Sequence, residues 1–210
     1  MTALGILHPG SMGVAVAAQA RRSGAEVLWC PVGRSASSKT RAERYGLTPV
    51  RALSEMAERA DIILNLCPPA VAEDVARDIA ACSYARIYVD GNAVSPATMA
   101  NISAIVQQSG ATAVDGAVIG SPPSDSKRPR LYLSGPADAL PPVARLFEGS
   151  AVQARALSGG IGKASALKLS YSTYQKTSRA LAAVAYALAS DHGVGAELLD
   201  IAEERGRTPL

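Results

Sequence analysis

The sequence predicts an α/β protein: a doubly wound parallel sheet covered on both faces by helices, followed by a short all-α C-terminal segment with one long helix. Three observations predict it. Short apolar runs alternate with helix-period segments through residues 1–157. A turn with spaced glycines, Gly10 and Gly13, stands between the first apolar run and the first helical pattern. Residues 163–190 contain neither proline nor glycine and are rich in Ala and Leu, which predicts one helix of about 28 residues, roughly 42 Å long at 1.5 Å per residue. The 210 residues allow one to two domains. The predicted division is an α/β domain over residues 1–157 and a helical segment over residues 158–210.

Leu4-Gly5-Ile6-Leu7 reads as the first strand, stopped by His8-Pro9-Gly10, and a helix follows with Val14, Ala17, Ala18 and Ala20 on its apolar side. Gly24 closes that helix and Glu26-Val27-Leu28-Trp29 resumes an extended pattern, completing a βαβ unit. Helical patterns follow at 37–45 and 53–60. A buried strand at 62–66 is stopped by Pro68-Pro69, a helix spans 71–80, and a strand spans 86–89. The second half continues with a helix after Pro96, a strand at 111–118, a polar loop at 121–129 and a strand at 130–133. Residues 136–147 read as helical and 151–156 as extended. After the long helix, Gly193 and Gly195 mark a break and 196–204 starts one more helix.

With 48% hydrophobic and 19% charged residues the chain can build a core, and with 4% aromatics that core must be mostly Ala, Val, Leu and Ile. A net charge of +3 from 21 basic and 18 acidic residues gives no nucleic-acid surface. Cys30, Cys67 and Cys82 have neither disulfide-framework nor zinc spacing and read as small core residues in a reducing compartment, so no metal is expected. The first residues carry no signal-peptide pattern, and the longest apolar stretch, 180–188, is well short of the roughly 20 residues of a membrane span. The expectation is a soluble, cytoplasmic protein with no membrane or nucleic-acid partner.

His8-Pro9-Gly10-Ser11-Met12-Gly13 occupies the place of a dinucleotide fingerprint, with His8 where the first glycine stands in G-x-G-x-x-G. Gly10 would let the backbone approach a pyrophosphate, Gly13 would permit close helix–strand packing, and the helix N-terminus would supply N–H donors and positive potential. The second strand ends Trp29-Cys30-Pro31 without the carboxylate that holds NAD ribose hydroxyls, and Gly33-Arg34-Ser35 follows. An arginine fork and a hydroxyl suit a 2′-phosphate, so the expected cofactor is NADP(H). Arg41 and Arg44 on the next helix could reinforce that site, but each reads first as a solvated surface arginine.

Together with four further segments, the start Gly5-Ile6-Leu7-His8-Pro9-Gly10-Ser11-Met12-Gly13 resembles the β-hydroxyacid dehydrogenase superfamily, which includes 6-phosphogluconate and 3-hydroxyisobutyrate dehydrogenases. The further segments are Cys67-Pro68-Pro69, Asp90-Gly91-Asn92-Ala93-Val94-Ser95-Pro96, Asp115-Gly116-Ala117-Val118-Ile119-Gly120, and Gly159-Gly160-Ile161-Gly162 ahead of Lys168. The resemblance is strongest to a less characterised 6-phosphogluconate-dehydrogenase-like branch and covers nearly the whole chain. It implies a Rossmann-like domain whose cofactor contacts fall at Gly10, Ser11, Met12, Gly13, Gly33, Arg34, Ser35, Cys67, Pro68, Pro69 and Asn92. It implies Lys168 as proton donor or acceptor at the substrate oxygen.

The chain departs from the superfamily at two places. Tyr171 stands where members carry asparagine after the catalytic lysine, and Asp90-Gly91-Asn92-Ala93 replaces Asp-x-Ser-Thr. Candidate substrate contacts are therefore Asn92, Ser95 and Gly120, with Tyr171 and Ser172 sharing a helix face with Lys168. Lys127, Arg128 and Arg130 read as a solvated loop, the alternative being a basic stretch that attracts an anionic substrate. Apolar Leu167, Leu181, Val184 and Leu188 point to dimerisation through the long helix. The expected function is an NADPH-dependent oxidoreductase acting on a small carbonyl/alcohol or imine/amine substrate. The alternatives are a non-catalytic NADP-binding regulatory or interaction protein, or a truncated fragment of such an enzyme. Superfamily members continue for several more helices after the long one, so cover for the cleft is expected from a partner subunit, from a simpler and more open site, or from residues outside this chain.

Overall fold

The computed structural model describes residues 1–204. It divides into two compact units, Met1–Lys168 and the residues from Leu169 onward. The first unit holds an eight-stranded sheet in the order β3-β2-β1-β4-β5-β6-β7-β8. Its first six strands follow the 3-2-1-4-5-6 order of dinucleotide-binding folds. They are β1 (Ala3–Ile6), β2 (Glu26–Trp29), β3 (Thr48–Pro49), β4 (Ile62–Asn65), β5 (Ile87–Asp90) and β6 (Thr112–Ile119). Helices α1 (Ser11–Arg22), α2 (Ala36–Arg44), α3 (Leu53–Arg59), α4 (Ala72–Ala81) and α5 (Pro96–Gln107) connect them.

Alternate residues of each strand feed two separate core layers, which is what double winding requires. Leu4 and Ile6 of β1 and Ile62 and Leu64 of β4 pack with Val14, Val16, Ala17 and Ala20 of α1. Ile63 and Tyr88 face the opposite layer with Met56, Ile79, Met99 and Ile102. Gly5 is a point where that second layer packs directly on β1. A Cβ there would lie 2.8 Å from Met56 Sδ, so the absence of a side chain admits α3. Gly24, with φ +94, ends α1 in the left-handed region, and Ala25 N donates to Ala20 O at 3.1 Å, the closure expected of a glycine helix stop.

The doubly wound sheet predicted from the sequence is present, and its parallel pairing is broken only at β7 (Arg130–Ser134), which pairs antiparallel with β6, while β8 (Gln153–Ala156) pairs parallel with β7. Residues 120–129 form no helix, and a parallel return needs a crossover of a dozen or more residues, so the chain can only double back. Residues 136–147 are helical only over α6 (Leu140–Arg145), the two-residue β3 lies in a segment with no predicted element, and the 3-10 turn Pro69–Val71 precedes α4 and takes in the first residue of the helix predicted over 71–80. The long helix is α7 (Lys163–Asp191), of 29 residues. Its start, with buried Ala164 and Ser165, belongs to the first unit.

The second unit contains the rest of α7 and α8 (Gly195–Glu204), joined through Gly193 at φ +70. Val194 N donates to Ala189 O at 2.9 Å, and a Cβ on Gly195 would lie 3.1 Å from Ser190 Oγ. Leu181, Val184, Tyr186, Leu188 and Ile201 are exposed. No helix among the described residues is long and apolar enough to cross a membrane.

Candidate cofactor cleft and lysine site

The strand order reverses between β1 and β4, and a cavity of about 440 Å³ opens there at the C-terminal ends of the strands. The segment 8–13 lines one side of it, the Gly33-Arg34-Ser35 turn another, and Cys67 and Pro68 a third. Gly10 precedes the first turn of α1 in an extended conformation, and no side chain caps the helix. The leading N–H groups of α1 therefore remain available to an anion. The two glycines do different work. A Cβ on Gly13 would sit 2.2 Å from His8 O, a collision with the loop's own backbone, whereas a Cβ on Gly10 would meet nothing within 4 Å. Gly13 makes room for the protein, and Gly10 leaves room for something else.

The turn after β2 is set by Gly33 at φ +70 and by Arg34 N donating to Pro31 O at 3.2 Å. Ser35 caps α2 by accepting from Ser38 N, and its hydroxyl lies 3.0 Å from Ser37 Oγ and 3.1 Å from Ser38 Oγ. Ser38 also lines the cavity, and among the described residues no Asp or Glu does. Arg41 is not the solvated side chain expected from the sequence. Its Nε donates to Pro9 O at 3.1 Å and its Nη2 to Ser38 Oγ at 3.2 Å, so one guanidinium joins α2 to the phosphate loop. Arg44 is exposed, as expected.

Two buried atoms at this cleft lack partners, His8 Nδ1 and Arg34 Nε. Burial, and then the Arg34 charge, push the His8 imidazole down to a pKa of about 4, so it is neutral at pH 7. The residues present thus fit a nicotinamide dinucleotide: free helix-start donors, an open Gly10, and unpartnered cationic and imidazole nitrogens facing no carboxylate.

Further along the sheet, Asp90 and Asp115 stand opposite each other on β5 and β6, both fully buried. Asp115 accepts from Ser134 Oγ at 3.0 Å, Ser165 N at 3.0 Å and Ser165 Oγ at 2.7 Å, and Ala164 N donates to Ser134 Oγ at 3.0 Å. A carboxylate is thereby fixed at the N-terminus of α7, where the helix dipole favours it. Asp90 accepts from Asn92 N at 3.1 Å, Asn92 Nδ2 at 2.9 Å and Asn65 Nδ2 at 3.1 Å. Burial outweighs these bonds and raises its pKa to about 6. Lys168, one turn beyond Ser165, is half-buried; its Nζ donates to Val118 O, and burial lowers its pKa.

Asn92 is buried, with Nδ2 3.5 Å from Cys67 Sγ as well as on Asp90. Ser95 caps α5 by accepting from Thr98 N at 3.0 Å. Gly120, at φ +125, opens the loop before β7, and Pro69 begins the 3-10 turn. Lys127, Arg128 and Arg130 are exposed. Tyr171 and Ser172 lie in the second unit, where Gln175 Nε2 donates to the exposed Tyr171 hydroxyl at 2.7 Å. Ser38, Arg41, Asn65 and the Asp115 network were not singled out as site-forming residues from the sequence. Only Ser38 carried a local signal, since Ser35 and Ser38 have helix-capping spacing.

These features define a nicotinamide-nucleotide-binding dehydrogenase or reductase fold. Residues 3–162 match the family described as the NAD binding domain of 6-phosphogluconate dehydrogenase, and the chain belongs to that family. An uncharacterized 28.5 kDa protein of Methanothermus fervidus is 30% identical over 181 residues, 85% of this chain and 68% of that one. A conserved protein of unknown function, described as structurally similar to 3-hydroxyacid dehydrogenases, is 27% identical with a TM-score of 0.80, covering 96% of this chain and 75% of its own. The fold is shared with Mycobacterium tuberculosis 3-hydroxyisobutyrate dehydrogenase solved with L-serine (20% identity, TM-score 0.85, 100% of this chain and 72% of that one). It is also shared with an Aspergillus terreus imine reductase solved with NADPH4 and dibenz[c,e]azepine (18% identity, TM-score 0.80, 97% and 72%).

Proposed function

We propose that this protein is an NADP(H)-dependent oxidoreductase that interconverts a small carbonyl and alcohol, or imine and amine. The observation carrying the cofactor choice is the cation-and-hydroxyl set Arg34, Ser35 and Ser38 in a cavity that no carboxylate among the described residues lines. Residues 1–157 form the nucleotide-binding domain, and residues 158–210 serve dimerisation and the substrate. The phosphate loop from Gly10 to Gly13 and Cys67-Pro68-Pro69 bound the dinucleotide, with Asn92 at the inner edge. The bound cofactor supplies or accepts the hydride. Lys168 holds the proton: a half-buried ammonium with a lowered pKa gives it up to the substrate heteroatom more readily than a solvated lysine, and takes it back in the reverse direction. Asn92, Ser95, Gly120, Tyr171 and Ser172 are the proposed substrate contacts. The exposed apolar residues of α7 and α8 support a homodimer, and free Cys30, Cys67 and Cys82 accord with a cytoplasmic setting.

Two substitutions test this reading. Arg34→Ala weakens NADPH about 10- to 100-fold, the value of a charge-assisted phosphate contact, and leaves NADH nearly unchanged; equal losses in calorimetric titrations refute the NADP(H) assignment. Lys168→Met lowers turnover on a carbonyl and imine panel about 10²- to 10⁴-fold with NADPH affinity retained. A wild type that binds NADPH yet turns over none of the panel points instead to a binding protein.

A further inference from the structure

We propose that His8 is a proton-linked sensor of the bound dinucleotide, its imidazole gaining a proton when the phosphates of NADP(H) enter the cleft, so that NADP(H) is held more tightly, and more selectively over NAD(H), as pH falls. This rests on the reading of the cleft as an NADP(H) site.

The inference starts from a position. His8 stands where a dinucleotide fingerprint has its first glycine, so a titratable ring occupies a place that otherwise carries no side chain. Its carbonyl is already spent on the loop, accepting from Gly10 N at 2.8 Å and closing against Gly13. The ring lines the cavity, and its buried Nδ1 has no partner. A buried imidazole nitrogen left unpaired costs free energy unless something completes it.

The charged and titratable groups around the ring are all cationic or neutral. Arg34 comes from the loop after β2, Arg41 reaches Pro9 O from α2, and Cys67 comes from the loop after β4. Asn65 of β4 is uncharged and favours the ring's proton, the weakest of the three influences, and among the described residues no carboxylate lines the cleft. In the free protein this surrounding keeps His8 neutral: burial is the larger cause and the Arg34 charge the second, together placing the ring at about 4. An entering pyrophosphate adds negative charge beside the ring. A 2′-phosphate adds a further effect, because it pairs with Arg34 and cancels the charge that opposed protonation. NADP(H) therefore adds two influences that favour protonation where NAD(H) adds one. By linkage, a proton taken up on binding strengthens binding as pH falls, by at most tenfold per pH unit, in the window between the bound-state pKa and about 4.

The chain has only two histidines, His8 and His192, so imidazole resonances can be assigned with one substitution. In the full chain, His8 is expected to titrate near 4 alone, about 1 to 2 pH units higher with saturating NADPH, and in between with NADH. Titration calorimetry at pH 6 in two buffers of different ionisation enthalpy reads the same event as proton uptake. The 2′-phosphate has its own ionisation near pH 6, so the quantity read is wild type minus His8→Asn, with His8→Gln as a second variant if the first does not fold. A positive difference, larger for NADPH than NADH, is the expected result. Equal proton counts in wild type and variants with binding retained, or a His8 titration unmoved by NADPH, overturns the inference and leaves the cofactor reading standing. Failure of the wild type to bind either nucleotide removes the cofactor reading, and this inference with it.

Discussion

Two stretches of the same sheet end use polar groups in opposite ways. Around β1 and β4, hydrogen-bonding capacity is left open: the start of α1 has no side-chain cap, and His8 Nδ1 and Arg34 Nε have no partners. Around β6, the corresponding capacity is closed: Asp115 accepts three hydrogen bonds and fixes the start of α7, and Lys168 is tied to Val118 O. An unsatisfied cleft is a place for a ligand, whereas a saturated network is a place for holding a helix still. The difference indicates that nucleotide affinity and lysine position are set by separate groups and should fail separately.

The sharpest separation is at the two glycines. Gly13→Ala forces the phosphate loop apart, because the new Cβ meets backbone 2.2 Å away; nucleotide affinity should fall at least about 100-fold and the thermal midpoint should drop. Gly10→Ala, with open space and an ordinary φ of −69, should leave stability within about 0.5 kcal/mol and weaken the nucleotide about tenfold. Similar melting curves for both variants would break the distinction between room for the chain and room for the ligand.

At the closed end, Asp115→Ala strands Ser134 Oγ and the Ser165 groups and is expected to cost about 3 kcal/mol in urea unfolding. Asp115→Asn keeps the shape and part of the bonding, and should cost about half as much. A normal unfolding curve for Asp115→Ala would mean that the start of α7 is anchored elsewhere. Arg41→Ala tests the boundary between the regions. It removes the tie from α2 to Pro9 and the bond to Ser38, so NADPH and NADH should both weaken by about threefold to tenfold, with a smaller preference between them than the selective loss at Arg34.

A further effect is on stability against pH. His8 is depressed from 6.5 to about 4, so its contribution is present above 6.5 and is lost as pH falls toward 4. Asp90 is raised from 3.8 to about 6, so its contribution is present below 3.8 and is lost as pH rises through 6. The two slopes oppose each other over nearly the same window. His8→Asn removes one of them, and the variant should gain stability relative to wild type as pH is lowered from 6.5 to 4, read as melting temperature in the absence of nucleotide.

Most strands and helices of the first unit were legible because their signals are local: alternating or continuous apolar runs for β4 and β5, a glycine stop after α1, a proline at the start of α5. The antiparallel turn of β7 was harder, since strand direction depends on what the connecting loop can span, and no residue of β7 itself encodes it. The phosphate loop and the Arg34 turn were legible for the same local reason. Arg41 was misread because its partner, the carbonyl of Pro9, lies 32 positions away, and nothing in a helical arginine distinguishes a solvent-facing fork from one that reaches a loop.

By itself the sequence determined the alternation of elements, the glycine-spaced loop and the lysine on the long helix, since each is written in neighbouring residues through backbone freedom, periodicity and side-chain type. Only the tertiary structure decided which polar groups end up satisfied. Asp115 and Ser165 meet across 50 positions and close their network, while His8 and Arg34 are brought beside the same cavity and left unpaired. Burial turns that pairing into energy, because a polar group removed from water must find a partner or remain ready for one.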